Sequence, residues 1–408
     1  MRETTDILIS GGGVAGLTTA CALGSAGFRV ICVDPAPPVT EGEAEGADLR
    51  TTAFLQPSIP VLEAAGLWSR LEPHAAALQI MRIIDAGGPD PVARLTRDFD
   101  AADISEAPFG WNLPNWLLRR EMVARIAELP NVDFRPGTGF ARMLARETEA
   151  LVTLTDGSQI AAKLVIGADG RASPVREALG IAAKTIRYGQ KALAFAVTHD
   201  IPHGNVSTEV HRKGGPFTLV PLPDRDSRPA SAVVWMETGP EIARLAALPV
   251  PEFEAEMTAR SSGILGPLTL LTRRSVWPII SQIADRMSGP RTVLMAEAAH
   301  VVPPIGAQGL NMSLADLAAL LDLTERHRQD PGARSVTETF HCSRHLDVQA
   351  RVTGIDILNR ASMAETPMLR DLRARGLEAL YSTRAVRQML MRAGLGVGRN
   401  DTSPPSRA

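Results

Sequence analysis

The sequence predicts an α/β protein: a nucleotide-binding domain on an open parallel sheet, a mixed or antiparallel β-sheet domain inserted into it, and C-terminal helices. Three observations carry this. An apolar strand, a glycine-rich turn and a helix open the chain and lead to a second strand ending in an acid. Two apolar runs much further on also end in an acid, at Asp169 and Glu297. Between them, from Thr185 to about Ile283, short apolar runs alternate as half-buried strands do.

Ile7, Leu8 and Ile9 form the apolar run of a strand buried in a parallel sheet, and glycines follow at once. Gly11 permits the tight turn, Gly13 lets a pyrophosphate approach the backbone, and Gly16 lets the next helix (17–25) pack closely on the sheet. The start of that helix, with Val14 and Ala15, presents free N–H groups and a partial positive charge to phosphates. A second strand, 28–33, delivers Asp34 to where a ribose would lie, at about the 20-residue offset of this motif. The pattern specifies a dinucleotide without separating NAD from FAD.

After a loop rich in Gly, Glu and Pro comes Asp48-Leu-Arg50-Thr-Thr-Ala-Phe54, whose arginine is either a phosphate-pairing fork or an ordinary surface cation. The run 162–168 then enters an Asp169-Gly170 turn and a helix start at Ser173-Pro174; an acid at the carboxyl end of a parallel strand faces the ligand crevice. Among the alternating runs 192–197, 217–220 and 232–235, Phe217, Leu219 and Trp235 are candidates for an apolar pocket or for plain core. The run 291–296 ends in Glu297, with His300 close behind. The loop from Pro303 through Pro304 then feeds a helix starting at Gln308-Gly309-Leu310-Asn311 and running to Leu321, whose N-terminus can hold developing negative charge.

His341-Cys342-x-x-His345 has donor types at helical spacing but no further partners in sequence, so no metal site is expected. From 367 to 392 leucines alternate with arginines in a basic amphipathic pattern, suited equally to an anionic membrane and to a packed, solvated helix. The segment 401–408 is Ser/Pro-rich and expected to fray.

A chain of 408 residues has room for about two domains. A net charge of −2 offers no basic footprint for nucleic acid. Cys21 and Cys32 sit inside the first helix and second strand as small apolar residues, which suits a reducing compartment without a disulfide framework. No run reaches the ~18 to 20 apolar residues of a membrane span, and no signal-peptide layout precedes the first strand, so a cytoplasmic location is expected.

Together these segments resemble the class A flavoprotein aromatic hydroxylases, and within them the ubiquinone-biosynthesis hydroxylases. The Gly11–Gly16 turn with its acid, the Asp48/Arg50 segment, Ala168-Asp169-Gly170 and Gln308-Gly309-Leu310-Asn311 carry the class-level likeness. Tyr188-Gly-Gln190, the stretch 214–223, and a tail with Arg344, Asp347 and Asp356-Ile-Leu-Asn-Arg360 carry the narrower one.

The resemblance implies a Rossmann-type FAD-binding domain in three pieces, 1–75, 100–184 and 286–350. It implies a substrate-binding sheet from 76–99 and 185–285, and a helical region over 351–400. Gly11, Gly13 and Gly16, with Val14 and Ala15, would hold the FAD pyrophosphate and Asp34 the adenosine ribose. Arg50 would contact the cofactor, Asp169 and Gly170 its diphosphate, and Asn115 and Arg119 the flavin side chain. Where this family has Gly-Asp, the chain has Ala296-Glu297, an acid one methylene longer in the place expected to bond the ribitol. Pro304 and Gln308 would form a lip over the flavin, with Gly309, Leu310 and Asn311 at the start of the charge-stabilising helix.

The activity implied is monooxygenation. NAD(P)H reduces the flavin, O2 adds at C4a, and the hydroperoxide passes hydroxyl to a phenolic ring, a polyprenylphenol in the narrower family. No second Gly-x-Gly-x-x-Gly is present, as in a family whose nicotinamide binds without its own domain. Contact with the inner membrane or a biosynthetic complex would fall on 367–392. Two alternatives stand beside this: an FAD-dependent polyprenyl reductase, and an inactive scaffold paralogue suggested by Ala296-Glu297. A flavin halogenase is disfavoured because no lysine precedes Lys163.

Overall fold

The computed structural model describes residues 3–87, 92–212, 214–363, 378 and 381–395. At its centre the opening strand Glu3–Ser10 lies between two parallel partners, Val30–Asp34 and Gln159–Gly167. Val132–Pro136 and Thr292–Leu294 extend the parallel sheet on either side. Ile7, Leu8, Ile9, Cys32, Val33, Leu164, Val165, Ile166, Val293 and Leu294 are all fully buried, as continuous apolar strands covered on both faces must be. The register aligns Ser10 with Gly167 and Val33, and Gly167 with Leu294, so these strands end together at one edge. Asp34, Asp169 and Glu297 follow from that edge.

The helix after the first strand spans Val14–Ser25 and packs on the helices Asn115–Ala127 and Gln308–Arg326. Two glycines make this start possible. A Cβ on Gly16 would lie 1.8 Å from the Gly11 carbonyl oxygen, and one on Gly11, at φ +120°, would lie 2.3 Å from the Ala168 carbonyl oxygen. No side chain fits at either position.

The second large sheet orders its strands 300–301, 275–284, 183–198, 228–238, 216–225, 206–211, 80–85 and 95–100, mostly antiparallel. Only 206–211 and 80–85 run parallel there among the described residues, which brings the early segment 80–100 onto the middle of the chain. Strand alternation divides its two faces. Leu193, Phe195, Phe217, Leu219, Val233 and Trp235 pack under the helices Gly239–Ala247 and Val250–Arg260, against Ile242, Leu245, Phe253 and Met257. Phe217, Leu219 and Trp235 are therefore core, and the pocket role weighed for them does not hold. The opposite face carries two smaller clusters, Ala196, Leu222, Ala230 and Ala232 in one and Ala192, Met236 and Ile279 in the other.

A short third sheet, Thr51–Leu55 with Gly110–Pro114 and Ala76–Leu78, bridges the two: Asn112 Nδ2 donates to the Pro221 carbonyl at 2.9 Å. The long helix Arg334–Ser362 buries Val336, Phe340, Val348, Val352 and Ile355 against the body. No described helix is long and apolar enough to cross a membrane. Half of the basic amphipathic run 367–392 lies outside the described residues, as does all of 401–408; its last part forms the helix Arg384–Leu395.

Candidate cofactor site

The site begins at the open end of the first turn. A Cβ built on Gly13 meets nothing within 4 Å, and the helix that Gly13 precedes has no side-chain cap, so its first N–H groups face a gap. Asp34 braces this loop: its carboxylate accepts from the Gly12 N–H at 2.6 Å and the Ala36 N–H at 2.9 Å.

Next to it lies a polar cluster assembled from distant segments. Arg50 donates through Nε and Nη2 to both oxygens of Asp48, at 2.8 and 2.7 Å, a bidentate fork. Asn115 Nδ2 donates to the same carboxylate at 3.0 Å, its Oδ1 accepts from Thr52, and Arg119 stands 3.7 Å away. Burial alone would raise the Asp48 carboxyl; Arg50, Asn115 and Arg119 outweigh it and hold the group below its ordinary value. The Arg50 guanidinium lies over the indole of Trp277, its Cζ 3.9 Å from the ring centroid. Asn115 and Arg119 thus reach Arg50 through Asp48.

Asp169 continues the edge. Its Oδ2 accepts from Ser10 Oγ at 3.1 Å and from the Val175 N–H at 3.2 Å, while Oδ1 is buried without a hydrogen-bond partner among the described residues. Burial pushes this carboxyl above its ordinary value. Gly170, at φ +85°, makes the turn.

Ala296 adopts φ +53°, the left-handed region natural to glycine, and starts a single 3-10 turn over Ala296–Ala298. Glu297 is exposed. Burial alone would lower the Arg50 guanidinium; Asp48 first, with a smaller contribution from Glu297, raises it above its ordinary value. His300 is buried on another acid: its Nε2 lies 2.7 Å from Asp316, which is fully buried and also accepts from Arg344 Nε at 2.8 Å. The sequence reading missed Asp316. Its signal is an acid on the apolar face of a helix, four residues from both Met312 and Leu320.

Pro304 and Gly309 are exposed, and a Cβ on Gly309 meets nothing within 4 Å. Gln308 donates to the carbonyls of Gly306 and Gly394 at 2.9 and 2.8 Å, tying the lip to the last described helix. Leu310 packs on the central core. Asn311 is used up within the protein: Nδ2 donates to the Ala53 and Ala307 carbonyls, and Oδ1 accepts from the Leu55 N–H and Ser58 Oγ. It positions its helix against the strand that follows Arg50.

The segments behind the narrower resemblance also meet. Tyr188 donates to Asp356 at 2.5 Å, Asn359 Nδ2 to Gln190 at 3.0 Å, and Gln190 Nε2 to the Gly214 carbonyl at 2.7 Å. Of the helical histidine pair, His341 accepts the Met287 N–H and His345 lies 3.2 Å from the Ala284 carbonyl.

The gap at Gly13, the uncapped helix beside it and the Nη1 of Arg50, unpaired among the described residues, all fit an extended, doubly anionic cofactor such as FAD. Comparison with known proteins agrees. The FAD binding domain profile matches residues 4–354. The ubiquinone hydroxylase UbiL of Rhodospirillum rubrum is 31% identical over 99% of this chain and 92% of its own length. The 3-demethoxyubiquinol 3-hydroxylase of Escherichia coli is 27% identical over 97% and 100%. In fold, the chain is similar to the crystal structure of the p-nitrophenol 4-monooxygenase PnpA from Pseudomonas putida, with a TM-score of 0.78 at 20% identity over 98% and 100% of the two chains.

Proposed function

The chain belongs to the FAD binding domain family, and from that premise we propose that it hydroxylates the aromatic ring of a polyprenylphenol in ubiquinone biosynthesis, with NAD(P)H as reductant and O2 as oxygen source. The observation that carries this reading is full-length likeness to named ubiquinone hydroxylases. FAD, when bound, supplies the redox chemistry that activates O2.

The protein's part is to bind, orient and keep water out. The Gly11–Gly16 turn and the helix behind it hold the diphosphate, with Asp34 set for the ribose. Arg50, fixed by Asp48 and Trp277, presents its remaining N–H groups to the cofactor, and Glu297 offers a carboxylate to its hydroxyls. The start of the helix at Gln308 and Gly309 stabilises negative charge, and Pro304 to Gln308 form the lip.

A prenyl tail calls for an apolar approach. The helix Arg384–Leu395 buries Met391 and Leu395 on Leu55, Phe99 and Phe109, yet leaves Met389 61% and Leu390 39% exposed beside Arg384 and Arg392. That outer face suits peripheral contact with an anionic bilayer. The test of the pathway assignment is deletion of the gene with mass analysis of the quinone pool. Accumulation of an under-hydroxylated polyprenylphenol is expected; an unchanged pool refutes the substrate while leaving FAD binding intact.

A further inference from the structure

We infer that Trp277 is a positioning residue for the cofactor, acting through Arg50. Trp277 lies on the strand Ser275–Ala284 of the second sheet, opposite Ala192, whereas Arg50 precedes the strand Thr51–Leu55 of the bridging sheet. Their stack therefore crosses from one layer to the other. Among the described residues, Trp277 belongs to none of the buried apolar clusters, and its Nε1 is buried without a hydrogen-bond partner. A tryptophan kept for packing sits in core, and one kept for its N–H finds an acceptor. What this indole offers is its face, and Arg50 occupies it at 3.9 Å.

The geometry leaves Arg50 little freedom. One edge of the guanidinium is taken by Asp48, one face by Trp277, and Nη1 makes no hydrogen bond among the described residues. A long, flexible side chain is thereby held in place with Nη1 left over for a ligand. Locking it before the ligand arrives removes an ordering cost from binding. The indole quadrupole strengthens the hold, because attraction to a cation grows where water is partly excluded.

This inference rests on the reading that Arg50 contacts FAD, and the experiment separates the two. Apoprotein is titrated with FAD, following flavin fluorescence, for wild type, Arg50→Ala, Trp277→Leu, Trp277→Phe and the Arg50→Ala/Trp277→Leu double variant. Trp277→Leu is expected to weaken binding about tenfold, Trp277→Phe to keep most of the affinity, and the double variant to bind no worse than Arg50→Ala. Full affinity in Trp277→Leu alongside loss in Arg50→Ala, or additive losses in the double variant, overturns the positioning role alone. Full affinity in Arg50→Ala overturns the contact and the positioning together. Fluorinated tryptophans placed at position 277 preserve shape and fold while draining the ring face of charge. A Kd rising with each fluorine supports the role, and a flat series refutes it.

Discussion

Ala296 holds a left-handed backbone, φ +53°, at the position where the resembled family has glycine. A Cβ there costs about 1 to 3 kcal/mol, and glycine recovers it less its own unfolded-state entropy. Ala296→Gly should stabilise the protein by about 1 kcal/mol, read as a rise of about 2 °C in Tm. A fall in Tm would show that this backbone is not native. In that background, Glu297→Asp should tighten FAD binding about fivefold, a gain of about 1 kcal/mol, in a fluorescence titration. Asp169 gives a pH signature. Burial raises its folded pKa above the unfolded one, so the folded state binds more protons between the two values, and stability falls as pH rises through that window. Asp169→Asn should therefore make the apoprotein more stable than wild type at neutral pH. Denaturant titrations should show the difference vanish below the ordinary carboxylate value of 3.8; a constant difference at all pH values would assign it to packing instead.

The helix Gln308–Arg326 connects the lip to a buried ionic group. His300 and Arg344 both bond Asp316, joining the turn that carries Glu297, the lip helix and the long C-terminal helix. Burial alone would raise the Asp316 carboxyl, yet His300 and Arg344 hold it below its ordinary value of 3.8. Its contribution to stability is therefore complete above that value and is lost as pH falls through the lower folded one. Asp316→Asn leaves Arg344 buried with half its charge partner gone and should cost about 3 to 5 kcal/mol in chemical denaturation; a cost under about 1 kcal/mol would mean that water or a neighbour repairs the site. At this scale the sequence is readable where the cause is local. The turn at Gly11 and Gly16 is legible because contacts within a few residues, and with Ala168, forbid side chains there. Trp277, Asp316 and the saturation of Asn311 are not, because each depends on a partner brought in by tertiary folding. Phe217 and Trp235 show the same limit: period-two alternation tells that a strand has two faces and not which one the helices cover.

Across the whole molecule, a parallel sheet for the cofactor and an antiparallel one above it meet through the bridging strands 51–55 and 110–114 and the Arg50–Trp277 stack. That division was legible from alternation and apolar runs, and the resemblance placed 76–99 with 185–285; the parallel pairing of 80–85 with 206–211 in particular was not legible, since strand order leaves no trace in local pattern. The outer face of the last described helix predicts sedimentation with anionic vesicles but not neutral ones. Met389→Asp/Leu390→Asp should abolish it without changing Tm by more than about 2 °C, and sedimentation that survives the pair would move the contact elsewhere. Hydroxylation itself is settled most directly by isotope: protein loaded with FAD is given NAD(P)H, a polyprenylphenol and 18O2, and the product is weighed by mass spectrometry. One 18O atom in the ring of each product molecule is the expected result. A product with saturated prenyl bonds and no label, or a colourless protein that takes up no FAD, would contradict it.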